Sequence, residues 1–591
     1  MRPIVASLLV LSLVSRFSPA APATARADGP RGVASVQGSL TLSDGTLLTH
    51  TLLHPGDADA KGPWPVILVR TPYGRGGAAE AARSLVERGA AILVQDVRGR
   101  GGSQGSFEPF RNEAKDGGET FDWVMAQPWC DGHVATYGMS YLGITQWQLA
   151  PHAGPRLAAM VNQFSSADVY RDVVHFGGVQ GLAISLSWLL LSANRGMTVK
   201  FDHLPLIEAD DASSGDLPTW DDWCRHPLLD DYWRPLDYGP RYSQVQCAAL
   251  LEAGWYDLFL PGQIDDYMKL SKRDGPPERR FARLIVGPWD HGGFAAAGRP
   301  DLGPDAYVAP LEEEAQFLDR FLFGRANGYE QRAGVRAFFL GENAWRELDA
   351  WPPTTAHALP LYLHSLGGAA AKPSGDGLLI EGKSPPRDEP ADAVTFDPAD
   401  PCPSYAKSLW TPLALLDDQA RIAQRPDVLV YATQKLAETV AIAGPIELEL
   451  WFTSDAPDGD FAAKLVDVAP DGSCEWRSEG IQRARTRESP SREVLVTPGE
   501  PTRLTVRMGH VACTFAAGHR IGLHVSGANF PRFSRNLQVA EPSALAKAGR
   551  PAHVRLLHDP THVARLTLWR IEPASPVSPA AAPTPAPAGK K

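Results

Sequence analysis

A serine becomes a nucleophile only where its surroundings make it one. The stretch Tyr137-Gly138-Met139-Ser140-Tyr141-Leu142-Gly143 has such surroundings. Gly132 to Thr136 before it reads as a short strand, and Ile144 to Ala150 after it reads as a helix. Strand, sharp glycine turn with a central serine, then helix is the layout of a nucleophile elbow. Gly138 lets the backbone turn tightly beside the serine, where a Cβ would clash. The helix start behind Ser140 offers unpaired backbone N–H groups to a developing negative charge. The common elbow has glycine two residues after the serine; here that position is Leu142 and the glycine is Gly143. A bare Gly-x-Ser is most often only a turn, so the assignment depends on what else the chain supplies.

A serine needs a base to take its proton, and the base needs a carboxylate to orient it. In the α/β-hydrolase layout these follow in the order Ser, acid, His, each on a loop after a strand. Asp257 ends the run Leu250 to Tyr256, and His291 ends Leu284 to Trp289. Ser140, Asp257 and His291 should therefore meet at the carboxyl edge of one sheet, where open α/β folds place their sites. Asp290 is a rival acid, but a residue adjacent to the imidazole is poorly placed to orient it. Acyl transfer also needs donors for the oxyanion. The N–H of Tyr141 is one; the other should come from the loop after the third strand, where the Tyr73 phenol stands. Taken singly, Asp257 reads as a helix cap, His291 as a loop histidine and Tyr73 as an aromatic packed on Pro72.

The elements that must hold these groups are legible. Trp64 to Arg70 and Ala90 to Asp96 are continuous apolar runs, as buried parallel strands require. Ala78 to Arg88 and Asp116 to Ala126 read as helices, and residues 31–60 alternate as a hairpin or edge strands. The loop Arg98-Gly99-Arg100-Gly101-Gly102-Ser103 fits no phosphate-binding template and reads as a close-packed turn. Strands alternating with helices imply an α/β domain with a mostly parallel sheet. From about Ser165 the alternation stops, and Trp, Asp, Leu and Pro dominate with helical patches such as Gly181 to Ala193, as in a cap over the sheet edge. It resumes at Ala248, with a helix over 311–322 and a strand over 335–340. After Pro352-Pro353 many short alternating runs suggest an all-β sandwich or jelly roll.

At 591 residues the chain is too long for one core, and about two to four domains are expected. A net charge of −11 argues against nucleic acid as a partner. Met1-Arg2-Pro3, the apolar run Ile4 to Val14 and the small residues after it have the layout of a cleavable signal peptide, implying secretion or periplasmic export. No later run is long and apolar enough for a membrane helix. The six cysteines include no CxxC pair, so no zinc site is expected; the expectation includes no metal and no cofactor. Cys224 and Cys247 are the first pair to consider for a disulfide; buried free thiols are equally compatible with the spacing.

Arg70-Thr71-Pro72-Tyr73, Asp96-Val97-Arg98-Gly99 with Gly102-Ser103 and Gly105, and Gly138 to Gly143 resemble the cocaine-esterase-like hydrolases. These belong to the X-prolyl dipeptidyl peptidase and α-amino-acid ester hydrolase superfamily. Gly254-Trp255-Tyr256-Asp257, Gly287-Pro288-Trp289-Asp290-His291, Asp460 to Leu465, Gly518 to Ile521 and Asn529 to Arg532 fit in the same order, so the resemblance covers roughly residues 35–573. In that family glycine three residues after the serine is normal. The resemblance implies an α/β hydrolase with an inserted helical cap and a C-terminal β jelly roll. The chain then divides into hydrolase segments at 28–165 and 246–355, a cap at 166–245 and the jelly roll at 356–573, with the signal peptide read from composition at 1–27 and a Pro/Ala-rich tail, expected to be disordered, at 574–591. It assigns Ser140, Asp257 and His291 as catalytic triad and the Tyr73 hydroxyl and Tyr141 N–H as oxyanion hole. The α-amino-acid ester hydrolases bind a substrate ammonium with acids just after the triad aspartate; here Leu258, Phe259 and Leu260 follow. An apolar acyl or aryl pocket formed by Trp255, Phe259 and Trp289 fits better. The expectation is a secreted serine hydrolase cleaving acyl esters, with amides as a second substrate class. The alternatives are X-prolyl dipeptidyl-peptidase or amino-acid ester/β-lactam acylase activity, and a non-catalytic carbohydrate-binding protein.

Overall fold

The computed structural model describes residues 32–573 except 58, 82, 197, 295–299, 308, 371–374, 383–387 and 405–418. The expected signal peptide at 1–27 and tail at 574–591 lie outside the described residues. The amino-terminal strands are β1 (Val33–Thr41), β2 (Leu47–Pro55), β3 (Trp64–Thr71), β4 (Ala91–Asp96), β5 (Cys130–Met139) and β6 (Leu157–Gln163). The short β7 (His175–Phe176) and β8 (Val179–Gln180) pair only with each other. Then come β9 (Ala248–Tyr256), β10 (Ala282–Asp290), β11 (Val335–Phe339) and β12 (Ala344–Leu348). Ten of these form one sheet in the order β1-β2-β4-β3-β5-β6-β9-β10-β11-β12. Neighbours from β4 across to β11 are parallel. The pairings of β1 with β2, β2 with β4, and β11 with β12 are antiparallel.

Every residue of β4 and of β9 is buried, because helices cover both faces of the sheet. The principal helices are α1 (Glu113–Met125), α2 (Tyr141–Ala153), α3 (Leu182–Ser192), α4 (Leu260–Leu270) and α5 (Leu311–Phe321). Alternate residues of β3 serve opposite layers. Val66 and Leu68 join the cluster of Trp147 and Ile264, and Ile67 and Val69 join that of Phe317 and Leu318.

Between β6 and β9 the chain leaves the sheet for a mainly helical segment. Its apolar residues form one cluster with Val97, Phe110, Tyr141, Leu258 and Phe259 from the carboxyl edge of the sheet. The carboxyl-terminal strands form an almost wholly antiparallel jelly roll around the long strand Val440–Ser454, which pairs with Thr502–Phe515. This domain holds the hydrolase sheet through Leu340, whose N–H reaches the Ala512 carbonyl at 3.1 Å and whose carbonyl accepts from Thr514 at 2.8 Å. It also holds the β7–β8 hairpin, where Arg483 N–H meets the Gly177 carbonyl at 2.9 Å and Ser534 N–H meets that of Gln180 at 2.8 Å. Cys224 and Cys247 are free thiols. The Cys224–Cys247 disulfide considered from sequence is therefore absent; both thiols are buried, and burial raises both pKa values.

Beneath the elbow lies an acid pair. Gln163 Nε2 donates to Glu252 at 2.8 Å and to Glu314 at 3.1 Å, and the Tyr137 hydroxyl donates to Glu314 at 2.8 Å. Burial pushes Glu314 up to about 7 and Glu252 well above the usual range, and the two carboxyls share a hydrogen bond. The folded state thus keeps protons that the unfolded chain releases near 4.5, so this pair's contribution to stability falls as pH rises through about 7. Replacing Glu314 by Gln should flatten the decline of Tm between about pH 5 and pH 8. Parallel Tm curves for the two proteins would show that the acid pair does not control this slope.

Candidate active site

Ser140 stands between the end of β5 and the start of α2 with φ 58° and ψ −127°, a region non-glycine residues rarely occupy. Such a conformation costs about 1–3 kcal/mol and persists only where the surroundings enforce it. Here Ser140 N–H is held by the Gln163 carbonyl of β6 at 3.0 Å, and its own carbonyl accepts from Ile144 at 3.0 Å. The two glycines explain themselves sterically. A Cβ on Gly138 (φ 142°) would lie 2.6 Å from Leu142 Cβ, so the leucine two residues after the serine occupies the space above that glycine. A Cβ on Gly143 would lie 2.4 Å from Ser165 Oγ, so this glycine lets α2 approach the loop after β6. Asn162 ties the contact together, donating to the Gly143 carbonyl at 2.9 Å and accepting from Ser165 Oγ at 2.6 Å.

The other two groups arrive from the ends of β9 and β10. His291 Nε2 lies 2.9 Å from Ser140 Oγ, and His291 Nδ1 lies 2.6 Å from Asp257 Oδ2. A carboxylate only accepts, so Nδ1 carries the proton and Nε2 of the neutral ring is free to accept from the serine. Asp257 Oδ1 is fixed by the Phe259 N–H at 2.7 Å, and both Asp257 and His291 are buried. Asp290 instead receives the Gly292 N–H at 2.7 Å, and burial pushes its carboxyl up to about 6. Another Ser–His pair occurs in the jelly roll, where Ser365 Oγ lies 3.1 Å from His558 Nε2. That hydroxyl faces Asp392 at 2.8 and 2.9 Å, and the whole group is buried. It has the character of a structural network, with no elbow behind it.

Tyr141 begins α2, so its N–H has no carbonyl four residues back within the helix. Its ring is buried; the hydroxyl donates to Glu113 at 2.8 Å and accepts from the Phe110 N–H at 3.0 Å. Glu113 in turn pairs with the buried Arg70 at 2.7 Å, so the residue beside the serine is anchored through its side chain. The Tyr73 hydroxyl accepts the Trp188 indole N–H at 3.1 Å. Burial raises the Tyr73 pKa, against the pull of the Trp188 and Ser140 hydrogen bonds and the nearby Arg100 charge.

Of the three aromatic residues expected to line a pocket, Phe259 sets its ring edge-on to His291 at 5.2 Å. Trp255 and Trp289 do not join it. Each is fully buried with its indole N–H bonded to a backbone carbonyl, Phe338 at 2.6 Å and Ala306 at 3.0 Å. Their rings pack against Trp351 and against Phe164, Phe294 and Trp345, in the layers flanking the sheet. They are therefore core residues. An aromatic cluster of Phe110, Tyr141, Trp188 and Trp223 adjoins the site through Tyr141, next to the serine, and through Trp188, bonded to Tyr73, with Phe110 stacked on the other three at 5.0, 5.7 and 6.5 Å. The sequence carries the tryptophan richness of the cap, but no periodicity there tells which rings reach the site. Among the described residues, no His, Cys, Asp and Glu are grouped to hold a metal ion, and no helix is long and apolar enough to cross a membrane.

Residues 44–293 match the X-Pro dipeptidyl-peptidase (S15 family), and residues 327–567 match the X-Pro dipeptidyl-peptidase C-terminal non-catalytic domain. The chain is 34% identical to the cocaine esterase of Rhodococcus sp. (strain MB1 Bresler) over 551 residues, covering 86% of this chain and 93% of that protein. Its fold is similar to that of an aminopeptidase from a marine sediment Thaumarchaeota archaeon, with a TM-score of 0.79 at 24% identity, covering 94% of this chain and 100% of that one. An α-amino-acid ester hydrolase gives a TM-score of 0.78 at 23% identity, with the same two coverages.

The packing at Gly143 gives a direct test of the elbow. Gly143→Ala should destabilise the protein by about 1–3 kcal/mol, as overpacked sites do. Adding Ser165→Gly, which removes the opposing atoms, should recover most of the lost Tm. An unchanged Tm in the single variant would mean that the contact yields freely and does not require glycine.

Proposed function

The chain belongs to the cocaine-esterase-like hydrolases of the X-Pro dipeptidyl-peptidase superfamily, and we propose that it is an exported serine esterase working through a Ser140–His291–Asp257 triad. One observation carries the reading: a strained serine lies 2.9 Å from an imidazole whose other nitrogen lies 2.6 Å from a buried carboxylate. Ser140 Oγ attacks the acyl carbonyl while His291 Nε2 takes its proton. The oxyanion is met by the Tyr141 N–H and the Tyr73 O–H. Collapse expels the alcohol, which receives that proton from His291, and leaves an acyl group on Ser140. Water then repeats the sequence with the acyl-enzyme and releases the acid. Asp257 holds the ring in the tautomer that this exchange needs.

The ester preference is supported by the residues after Asp257. Leu258 and Phe259 present apolar side chains to the cap cluster, where a carboxylate would serve a substrate ammonium. Export is supported by the basic end, apolar run and small residues of the amino terminus. Turnover of p-nitrophenyl esters should therefore far exceed that of X-Pro anilides; the reverse preference would assign the site to dipeptidyl-peptidase chemistry.

Tyr73 supplies the sharper test. A donor aimed at a charge that develops only in the transition state should act on kcat more than on KM. Tyr73→Phe should lower kcat by about 10²- to 10³-fold with little change in Tm, because the ring and its packing remain. Full kcat in that variant would place the second oxyanion donor elsewhere.

A further inference from the structure

The cap reaches into the oxyanion hole. Trp188, on the cap helix α3, places its indole N–H 3.1 Å from the Tyr73 hydroxyl oxygen. An indole N–H can only donate, so the phenol must be the acceptor in this contact. One lone pair of the oxygen is thereby taken from the cap side, which leaves the phenolic proton to be donated away from the indole. An O–H that accepts one hydrogen bond is also a stronger donor of the next.

The indole has little freedom to leave. Its ring is stacked on Phe110 at 5.7 Å and 14° and on Tyr141 at 5.9 Å and 21°. The helix that carries it is tied at both ends. At its start, Ala183 N–H bonds the Pro531 carbonyl of the jelly roll at 3.1 Å. At its end, Arg100 Nη1 donates to the Ser192 carbonyl at 2.6 Å, while Arg100 Nε donates to the carbonyl of Pro72, the residue before Tyr73, at 2.8 Å. The guanidinium lies over the Phe107 ring at 4.9 Å. One arginine from the glycine-rich loop thus fixes the cap helix and the Tyr73 loop relative to each other.

We infer that Trp188 is a positioning residue for the oxyanion hole, orienting the Tyr73 hydroxyl, with Arg100 setting the distance between their two elements. This rests on the assignment of Tyr73 as an oxyanion donor. The cap is then a fixed part of the catalytic machinery as well as a wall over the site.

A double-mutant cycle separates this role from packing. Trp188→Phe keeps an aromatic ring for the stack while removing the N–H donor together with one of the two fused rings. It should lower kcat about tenfold, the scale of one lost hydrogen bond, with KM changed less than about twofold. In a Tyr73→Phe background the same substitution should cost nothing further, because no hydroxyl remains to orient. Active-site titration with a fluorophosphonate corrects each rate for the fraction of folded enzyme, so a loss of stability does not obscure the result. An equal fall of kcat in both backgrounds, or a rise in KM alone, would make Trp188 a packing or pocket residue and overturn the inference. If Tyr73→Phe by itself keeps full kcat, the oxyanion assignment fails, whatever Trp188 does.

Discussion

The backbone of one residue governs the arrangement of this site. Ser140 holds φ 58° and ψ −127°, which an unsupported serine would not keep. The sheet enforces it: β5 delivers the residue, the Gln163 carbonyl of β6 holds its N–H, and α2 starts immediately behind it. The turn throws the hydroxyl out of the strand toward the loops after β9 and β10, and leaves the first N–H of α2 beside it. The acid pair, the anchored Tyr141 and the glycine contact with Ser165 all brace this one bend. A fold that relaxed the strain would also lose the alignment.

What could be read from the sequence follows from the same geometry. Asp257 and His291 were legible because each ends a continuous apolar run, and parallel strands deliver their carboxyl ends to one edge. The parallel sheet, the hairpin before it and the change to an all-β domain were legible from hydrophobic period alone. Trp255 and Trp289 were misassigned for a specific reason. Each stands two residues before a site residue but still inside a strand, so its side chain enters a layer flanking the sheet, whereas Asp257 and His291 lie just past the strand ends. Trp188 was invisible because its contact with Tyr73 depends on how the cap folds back. Ser365 and His558 show the converse hazard, since two suitable residue types meet there within a buried network that has no elbow.

The three parts of the chain are mutually dependent at the site. The sheet provides the serine, acid and base, while the cap provides aromatic surface and a hydrogen bond to Tyr73. The jelly roll touches none of the three reacting groups in this account. Its backbone hydrogen bonds to Leu340, Gly177 and Gln180 fix where the cap sits relative to the sheet. Backbone-to-backbone contacts of that kind constrain position more tightly than side-chain contacts alone. They favour a preorganised site, in which donors are already oriented when charge develops.

The central claim is that Ser140 forms a covalent bond with the acyl group. Reaction of the full chain with a fluorophosphonate, followed by peptide mass mapping, tests it most directly. The account predicts a single adduct on Ser140, absent from Ser140→Ala and formed far more slowly in His291→Ala, with both variants folded by Tm. No adduct on the folded protein, or an adduct on Ser365 or any other residue, would contradict it.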